Sequence, residues 1–149
     1  MSKSVKSAAL KFLKIRPRSI TELKEKLEIK GFSHAEIETT ANDLIASGLL
    51  DDRAFTKSWI NYRLARPFGF RRIIQELKHK GIDQQIIDQA IKEIDDQYDP
   101  EKIAVEIAKR RWQRLPDIGA DKKKKRVMDF LLRRGFEADI VLKILRNLE

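Results

Sequence analysis

Three glycines, each set between a basic and an apolar residue, constrain this chain more than any other feature: Lys30-Gly31-Phe32, Lys80-Gly81-Ile82 and Arg134-Gly135-Phe136. Apolar residues recur at fixed distances around them. Four before each glycine stand Leu27, Leu77 and Leu131; eight before stand Leu23, Ile73 and Val127. Six after stand Ile37, Ile87 and Val141; thirteen after stand Leu44, Ile94 and Leu148. Such spacing lays one apolar stripe on a helix on either side of the glycine. A glycine just past a helix adopts the left-handed conformation that ends it without Cβ strain. The predicted unit is helix, glycine cap, helix.

The likeness continues upstream. At an offset of fifty, Arg16-Pro17 falls on Arg66-Pro67, Phe12 on Tyr62 and Val5 on Phe55. The third copy needs a two-residue deletion, which places Phe55 on Ile103, Trp59 on Ile107 and Arg63 on Arg111. Each repeat then holds three helices, at 1–50, 51–98 and 99–149. The fold class expected is all-α, a tandem array of three three-helix repeats, extended and curved. Nine helices are predicted, at 4–15, 20–30, 34–47, 52–66, 70–80, 84–95, 100–114, 121–134 and 138–148. Ser19-Ile20-Thr21-Glu22 and Ser33-His34-Ala35-Glu36 read as capping boxes. Asp51-Asp52 begins a helix with anions at its positive end, Asp83 caps the next, and Asp99-Pro100 supplies a cap followed by proline at the first helical position. The longest connector is 115–121.

Chemistry is scarce. The 149 residues include no Cys, which excludes disulfides, thiolate metal sites and thiol catalysis. The two histidines, His34 and His79, lack a partner at ligand spacing, so no metal is expected. No glycine-rich phosphate loop occurs, and the neighbouring acids Asp51-Asp52 and Asp95-Asp96 point apart on a helix. No enzyme activity and no cofactor are expected. No apolar run reaches membrane-spanning length, and the basic start MSKSVKSAALKFLK lacks the apolar stretch of a secretory signal.

What remains is charge. The net charge is +9, and it is segregated. Residues 1–18, 57–80 and 109–126 together carry +19, which leaves −10 for the rest. A segregated basic surface favours a polyanionic partner. The candidate binding residues are Arg63, Arg66, Arg71 and Arg72 around a Pro-Phe-Gly turn, Arg110, Arg111 and Arg114 beside Trp112, and the run Lys122, Lys123, Lys124, Lys125 and Arg126 at a helix start. Arginine clamps phosphates or carboxylates with paired hydrogen bonds. Five cations at a helix start oppose its dipole, a cost that an anionic partner relieves. Phe12, Phe55, Trp59, Tyr62 and Phe130 fall at helical apolar positions and are expected in cores. Trp112 is assigned to core or inter-repeat packing, and Phe68 and Phe70 to anchoring the turn to the preceding repeat, with contact to a partner as the alternative. Reversing Arg71 and Arg72 together is expected to weaken binding with helicity unchanged.

The chain resembles the RecX family, bacterial regulators of the RecA recombinase. The resemblance is carried by Arg16-Pro17-Arg18-Ser19 with Glu22-Leu23, Leu27 and Lys30-Gly31-Phe32; by Leu50-Asp51-Asp52 with Phe55; by Arg66-Pro67-Phe68-Gly69 with Glu76-Leu77 and Lys80-Gly81-Ile82; and by the segment from Phe130 to Phe136. Phe70 departs from the pattern, since proline commonly follows that glycine in the family. The resemblance implies tandem three-helix modules without catalytic activity. They bind RecA and its filament on single-stranded DNA, lie along the filament groove, and inhibit ATPase, strand exchange and coprotease activity in recombination and the SOS response. It implies a cytoplasmic protein, and a monomer is expected. No catalytic residue carries over. The alternative open at this level is a helix-turn-helix type of protein that binds DNA directly.

Overall fold

The computed structural model describes residues 4–66, 68–94 and 98–148. Among these residues every regular element is an α-helix: α1 (Val5–Ile15), α2 (Ile20–Ile29), α3 (His34–Ala46), α4 (Asp52–Leu64), α5 (Phe70–His79), α6 (Gln84–Lys92), α7 (Pro100–Arg114), α8 (Ala120–Arg133) and α9 (Ala138–Arg146). They follow in three sets of three, as the glycine spacing predicts. Three helices end two or three residues short of expectation: α9, which stops at Arg146 and not at 148, and two others with local reasons. α4 stops at Leu64, short of 66, because Arg66 precedes Pro67 and the residue before proline is pushed out of the helical region; Pro67 itself lies outside the described residues. α6 stops at Lys92, short of 95, where Glu93 would add an anion to the negative end of the helix. Asp95 and Asp96 lie outside the described residues. None of the described helices is long and apolar enough to cross a membrane.

The basic-Gly-apolar signature has a specific geometry. Gly31, Gly81 and Gly135 have φ of 93, 78 and 90°. At each, the glycine N–H and the next N–H turn back onto the helix: Gly31 to Glu28 and Phe32 to Leu27, Gly81 to Lys78 and Ile82 to Leu77, Gly135 to Leu132 and Phe136 to Leu131. This is the Schellman closure, in which the residue after the glycine packs back on the helix's last core residue. The apolar residue after each glycine is thereby explained. The basic residue before it lies over an aromatic ring in all three repeats: Lys30 over Phe12 at 5.6 Å, Lys80 over Trp59 at 4.4 Å, and Arg134 over Phe130 at 5.1 Å.

The N-terminal caps form largely as expected. Ser19 and Glu22 make the full reciprocal box. At Ser33 the hydroxyl accepts from the Glu36 N–H, and the return bond is absent among the described contacts; Glu36 is exposed, so its carboxylate stays in water. Asp51 accepts from Arg53 and Ala54 N–H groups, Asp83 from Gln85, and Asp99 from Glu101 and Lys102.

Contacts divide the chain into two compact units, each interrupted in sequence. One comprises Met1–Trp59 and Leu77–Lys92, the other Ile60–Glu76 and Glu93–Glu149. In the first unit α1, α2 and α3 pack pairwise around Leu23, Leu27, Ile37, Leu44 and Leu50, and Ala8 and Ala9 let α1 approach closely. In the second, α7, α8 and α9 enclose Val127, Leu131, Phe136, Val141 and Leu148, with Ala104 and Ala108 in the same role. Eleven of the twelve apolar positions set by the glycine spacing are buried, and Ile94 is partly buried. Each fully buried Leu contributes about 1.5–3 kcal/mol.

Each unit also contains one joint in which the start of one helix meets the glycine cap of another. In the first unit the Ser19 hydroxyl donates to the Lys80 carbonyl at 2.7 Å, and the Lys80 ammonium donates to Glu22 at 3.1 Å. Gly81 lies so close to Thr21 that a Cβ there would overlap it, whereas a Cβ on Gly31 would meet nothing. Asp52 adds an unforeseen tie, accepting from the Ile20 N–H at 2.8 Å. In the second unit the Gly69 N–H donates to the Arg134 carbonyl at 2.7 Å and the Arg71 N–H to that of Gly135 at 3.2 Å. A Cβ on Gly69 would overlap the backbone of Gly135 and Phe136, and one on Gly135 would overlap Arg72.

The first joint makes stability depend on pH. Burial raises the Glu22 carboxyl, but Arg16, the Ser19 N–H and Lys80 outweigh it and hold the group at about 2, below its ordinary 4.5. The unfolded chain therefore binds the extra proton first as pH falls between 4.5 and 2, and stability falls with it. Asp52 acts in the opposite sense, since burial raises its pKa over the hydrogen bond from Ile20. Thermal melts from pH 6 to pH 2.5 are expected to show a steeper acid loss for the parent chain than for Glu22→Gln. Equal slopes would remove Glu22 from this role.

Candidate anion-binding surface

The second unit holds all twelve of the expected cations. α7 carries Arg110, Arg111 and Arg114 on its last turns, and all three are exposed. With Ile107, Phe130 and Arg134 they line an open cleft of about 240 Å³. The Arg111 guanidinium lies 4.8 Å from the centre of the Phe130 ring, and that of Arg134 5.1 Å from it. Such contacts are worth about 0.5–1 kcal/mol each when exposed and more when desolvated. They hold guanidiniums in place while leaving N–H edges free for an anion.

The turn before α5 is a corner with its own cation cluster. Phe68 is 8% exposed, and the guanidiniums of Arg63, Arg72 and Arg134 lie 4.8, 4.6 and 5.0 Å from its ring centre. Tyr98 braces the corner: its hydroxyl donates to the Phe68 carbonyl at 3.2 Å, and Phe70 meets its ring edge-on at 5.1 Å. Burial pushes the Tyr98 phenol up to about 12, so it stays a donor at neutral pH. Among the described residues, Phe68 and Phe70 anchor the turn to Tyr98 and to arginines of the second and third repeats, and not to the preceding repeat as expected from sequence.

The four arginines of this corner divide by role. Arg63 is paired with Glu76, both of them largely buried side chains. Arg72 donates to the Arg133 carbonyl at 3.1 Å and is partly buried. Both hold the corner together. Arg66 is exposed, with its guanidinium 4.8 Å from the Tyr62 ring centre. Arg71 is exposed, and its backbone N–H makes the joint to Gly135. Reversing Arg72 along with Arg71 therefore disturbs packing as well as charge, and Arg71 alone is the clean probe.

The basic run behaves differently. It lies on the first turns of α8, behind Gly119, which supplies no side-chain cap. At about 100° per residue, five consecutive cations encircle a helix and form no single face. Lys123 has its ammonium 4.3 Å from the Trp112 ring centre, and Lys123 and Lys124 are partly buried; Lys122, Lys125 and Arg126 are exposed. Trp112 packs against the core of α7, α8 and α9, as expected.

Two residues escaped the sequence reading. Arg134 belongs to both clusters, yet its position before Gly135 marked it only as part of the cap signature. Tyr62, assigned to a core by its helical position, is 49% exposed. It sits beside Arg63 and Arg66 on the solvent side of α4, and its match to Phe12 in the repeat obscured that.

Known proteins resemble this chain along its length. Three family models match in order: RecX, first three-helix domain, over residues 6–44; RecX, second three-helix domain, over 51–91; and RecX, third three-helix domain, over 99–145. A protein named Regulatory protein RecX from Pelodictyon phaeoclathratiforme is 36% identical over 94% of this chain and 86% of its own. One of the same name from Legionella pneumophila is 30% identical over 95% of this chain and 93% of its own. The crystal structure of RecX from Lactobacillus salivarius superimposes with a TM-score of 0.81 at 26% identity, covering 97% of this chain and 94% of that one.

Proposed function

The chain belongs to the RecX family of regulatory proteins, and from that premise we propose that it binds the RecA recombinase and its filament on single-stranded DNA. In this reading it lowers ATPase, strand exchange and coprotease activity without chemistry of its own. It acts as a monomer in the cytoplasm, within recombination and the SOS response. The observation that carries the reading is the presence of all three family domains, in order, together with the arginine surface of the second unit. A row of modules offers several separated contacts on one chain, and joined contacts gain effective concentration on a polymer. A basic surface adds long-range attraction to a filament that carries DNA. Contacts that bridge protomers resist the rearrangements that ATP turnover requires, which is a means of inhibition by binding alone.

The test is single-strand-dependent ATP hydrolysis by the recombinase of the same organism, measured while this protein is titrated. Hydrolysis is expected to fall as the protein approaches stoichiometric coverage of the filament. Unchanged hydrolysis at full coverage would overturn the reading.

A further inference from the structure

We infer that the cleft between α7 and α8 holds backbone phosphates of a single-stranded nucleic acid directly and without regard to base, with Phe130 supporting the arginines and taking no part in base stacking. The first ground is charge. Arg110, Arg111, Arg114 and Arg134 share one small cleft, and no carboxylate lines it among the described residues. Like charges gathered this way repel one another, and a bound anion relieves that cost.

Helix dipoles account for only part of the cluster. Cations in a last turn complement the negative end of a helix, which suits Arg111 and Arg114 on α7. At α8 that negative end is already covered. Gly69 and Arg71 N–H groups and the Arg72 guanidinium occupy the carbonyls of Arg134, Gly135 and Arg133. The same covering removes the partial negative charge that would repel a phosphate from Arg134.

The aromatic ring decides how a strand is read. Phe130 packs against the core of α7, α8 and α9 and carries Arg111 and Arg134 over its ring. Its surface is taken, so a base has nothing to stack on, whereas strand-binding proteins that stack bases expose their aromatics. Two guanidiniums held about a ring present N–H groups suited to phosphate oxygens. The cleft is open, and its α7 arginines are exposed. A free nucleotide is usually buried over about 70–90% of its surface, so this cleft suits a polymer held at several points. A strand carries a phosphate at every step by its chemistry, whereas a peptide does so only where its sequence is continuously acidic.

The inference rests on the filament reading for where such a strand is met, and its test uses free strand so that the two fail separately. Fluorescence anisotropy is measured with an oligothymidylate, with an abasic strand of equal length and with polyglutamate. The proteins are the parent chain, Arg110→Gln with Arg114→Gln, and Phe130→Leu. The parent is expected to bind both strands within about twofold. Counterion release gives a salt slope of about 0.7 per single-strand phosphate. The double variant should therefore lose about 1.4 from the slope and bind about 25-fold more weakly at 0.1 M salt. Phe130→Leu should weaken strand binding by a smaller factor at every salt concentration, for both strands alike.

Much tighter binding of oligothymidylate than of abasic strand would overturn the inference, as would a double variant that binds like the parent or polyglutamate that competes as well as the strand. A parent chain that inhibits the recombinase but ignores free strand overturns this inference and leaves the filament reading standing. Strand binding as expected without inhibition supports the cleft and overturns the filament reading.

Discussion

Gly69→Ala is expected to lower stability by about 3–5 kcal/mol, the sum of overpacking and two weakened hydrogen bonds. Its new Cβ would overlap the backbone of Gly135 and Phe136, and backbone has no rotamer with which to move aside. The strands of chain would part, which loosens the Gly69 N–H bond to Arg134 and the Arg71 N–H bond to Gly135. Gly31→Ala is the control. Gly31 has a positive φ of 93°, but a Cβ there meets nothing, so the expected cost is the left-handed conformation alone, about 1–2 kcal/mol. Thermal melts by circular dichroism measure both. For a chain of this size each kcal/mol shifts the midpoint by roughly 2–4 °C, which separates the two variants clearly. Equal losses would mean that the close approach of Gly69 and Gly135 contributes nothing.

Phe68→Ala is expected to cost about 3–5 kcal/mol, the range for emptying a buried aromatic site. The ring is buried, and three guanidiniums surround it. Without it, Arg63, Arg72 and Arg134 would face one another across a void, with Glu76 neutralising only Arg63. Phe68→Leu fills most of the space but lacks the negative ring face. It should recover most of the loss and leave a deficit of about 1–2 kcal/mol for the missing cation–π contacts. Chemical denaturation of both variants reads this directly. A loss under about 1 kcal/mol for Phe68→Ala, far below the range for such a truncation, would show that the corner stands without the ring.

Much of the fold was legible because its signals are local. The glycine caps, the apolar stripes and the caps at Ser19, Asp83 and Asp99 depend on residues within a turn or two, so spacing alone places them. Helix ends near Pro67 and Glu93 were overrun by two or three residues because the apolar stripe continues past the point where the backbone stops.

The candidate surface was legible in its composition and not in its arrangement. Arg110, Arg111 and Arg114 were expected and share a cleft. Lys122 to Arg126 looked like one patch because they are adjacent in sequence, but adjacency on a helix is angular separation. Arg63 and Arg72 looked like outward arginines, and their partners Glu76, Phe68 and the Arg133 carbonyl only become visible when the chain is folded. Arg134 was hidden for the same reason, since it serves the Phe68 ring and the Phe130 ring at once.

The sequence by itself determined the nine helices of the described residues, in three sets, and their glycine closures, because helix formation and capping are decided by neighbours within about one turn. Tertiary structure alone decided which glycines must be glycine for space and which only for conformation. It also decided which arginines brace a corner and which face solvent. Those outcomes depend on contacts between residues up to sixty-seven positions apart, such as Gly69 and Phe136, and no local pattern encodes the partner that a folded chain brings into place.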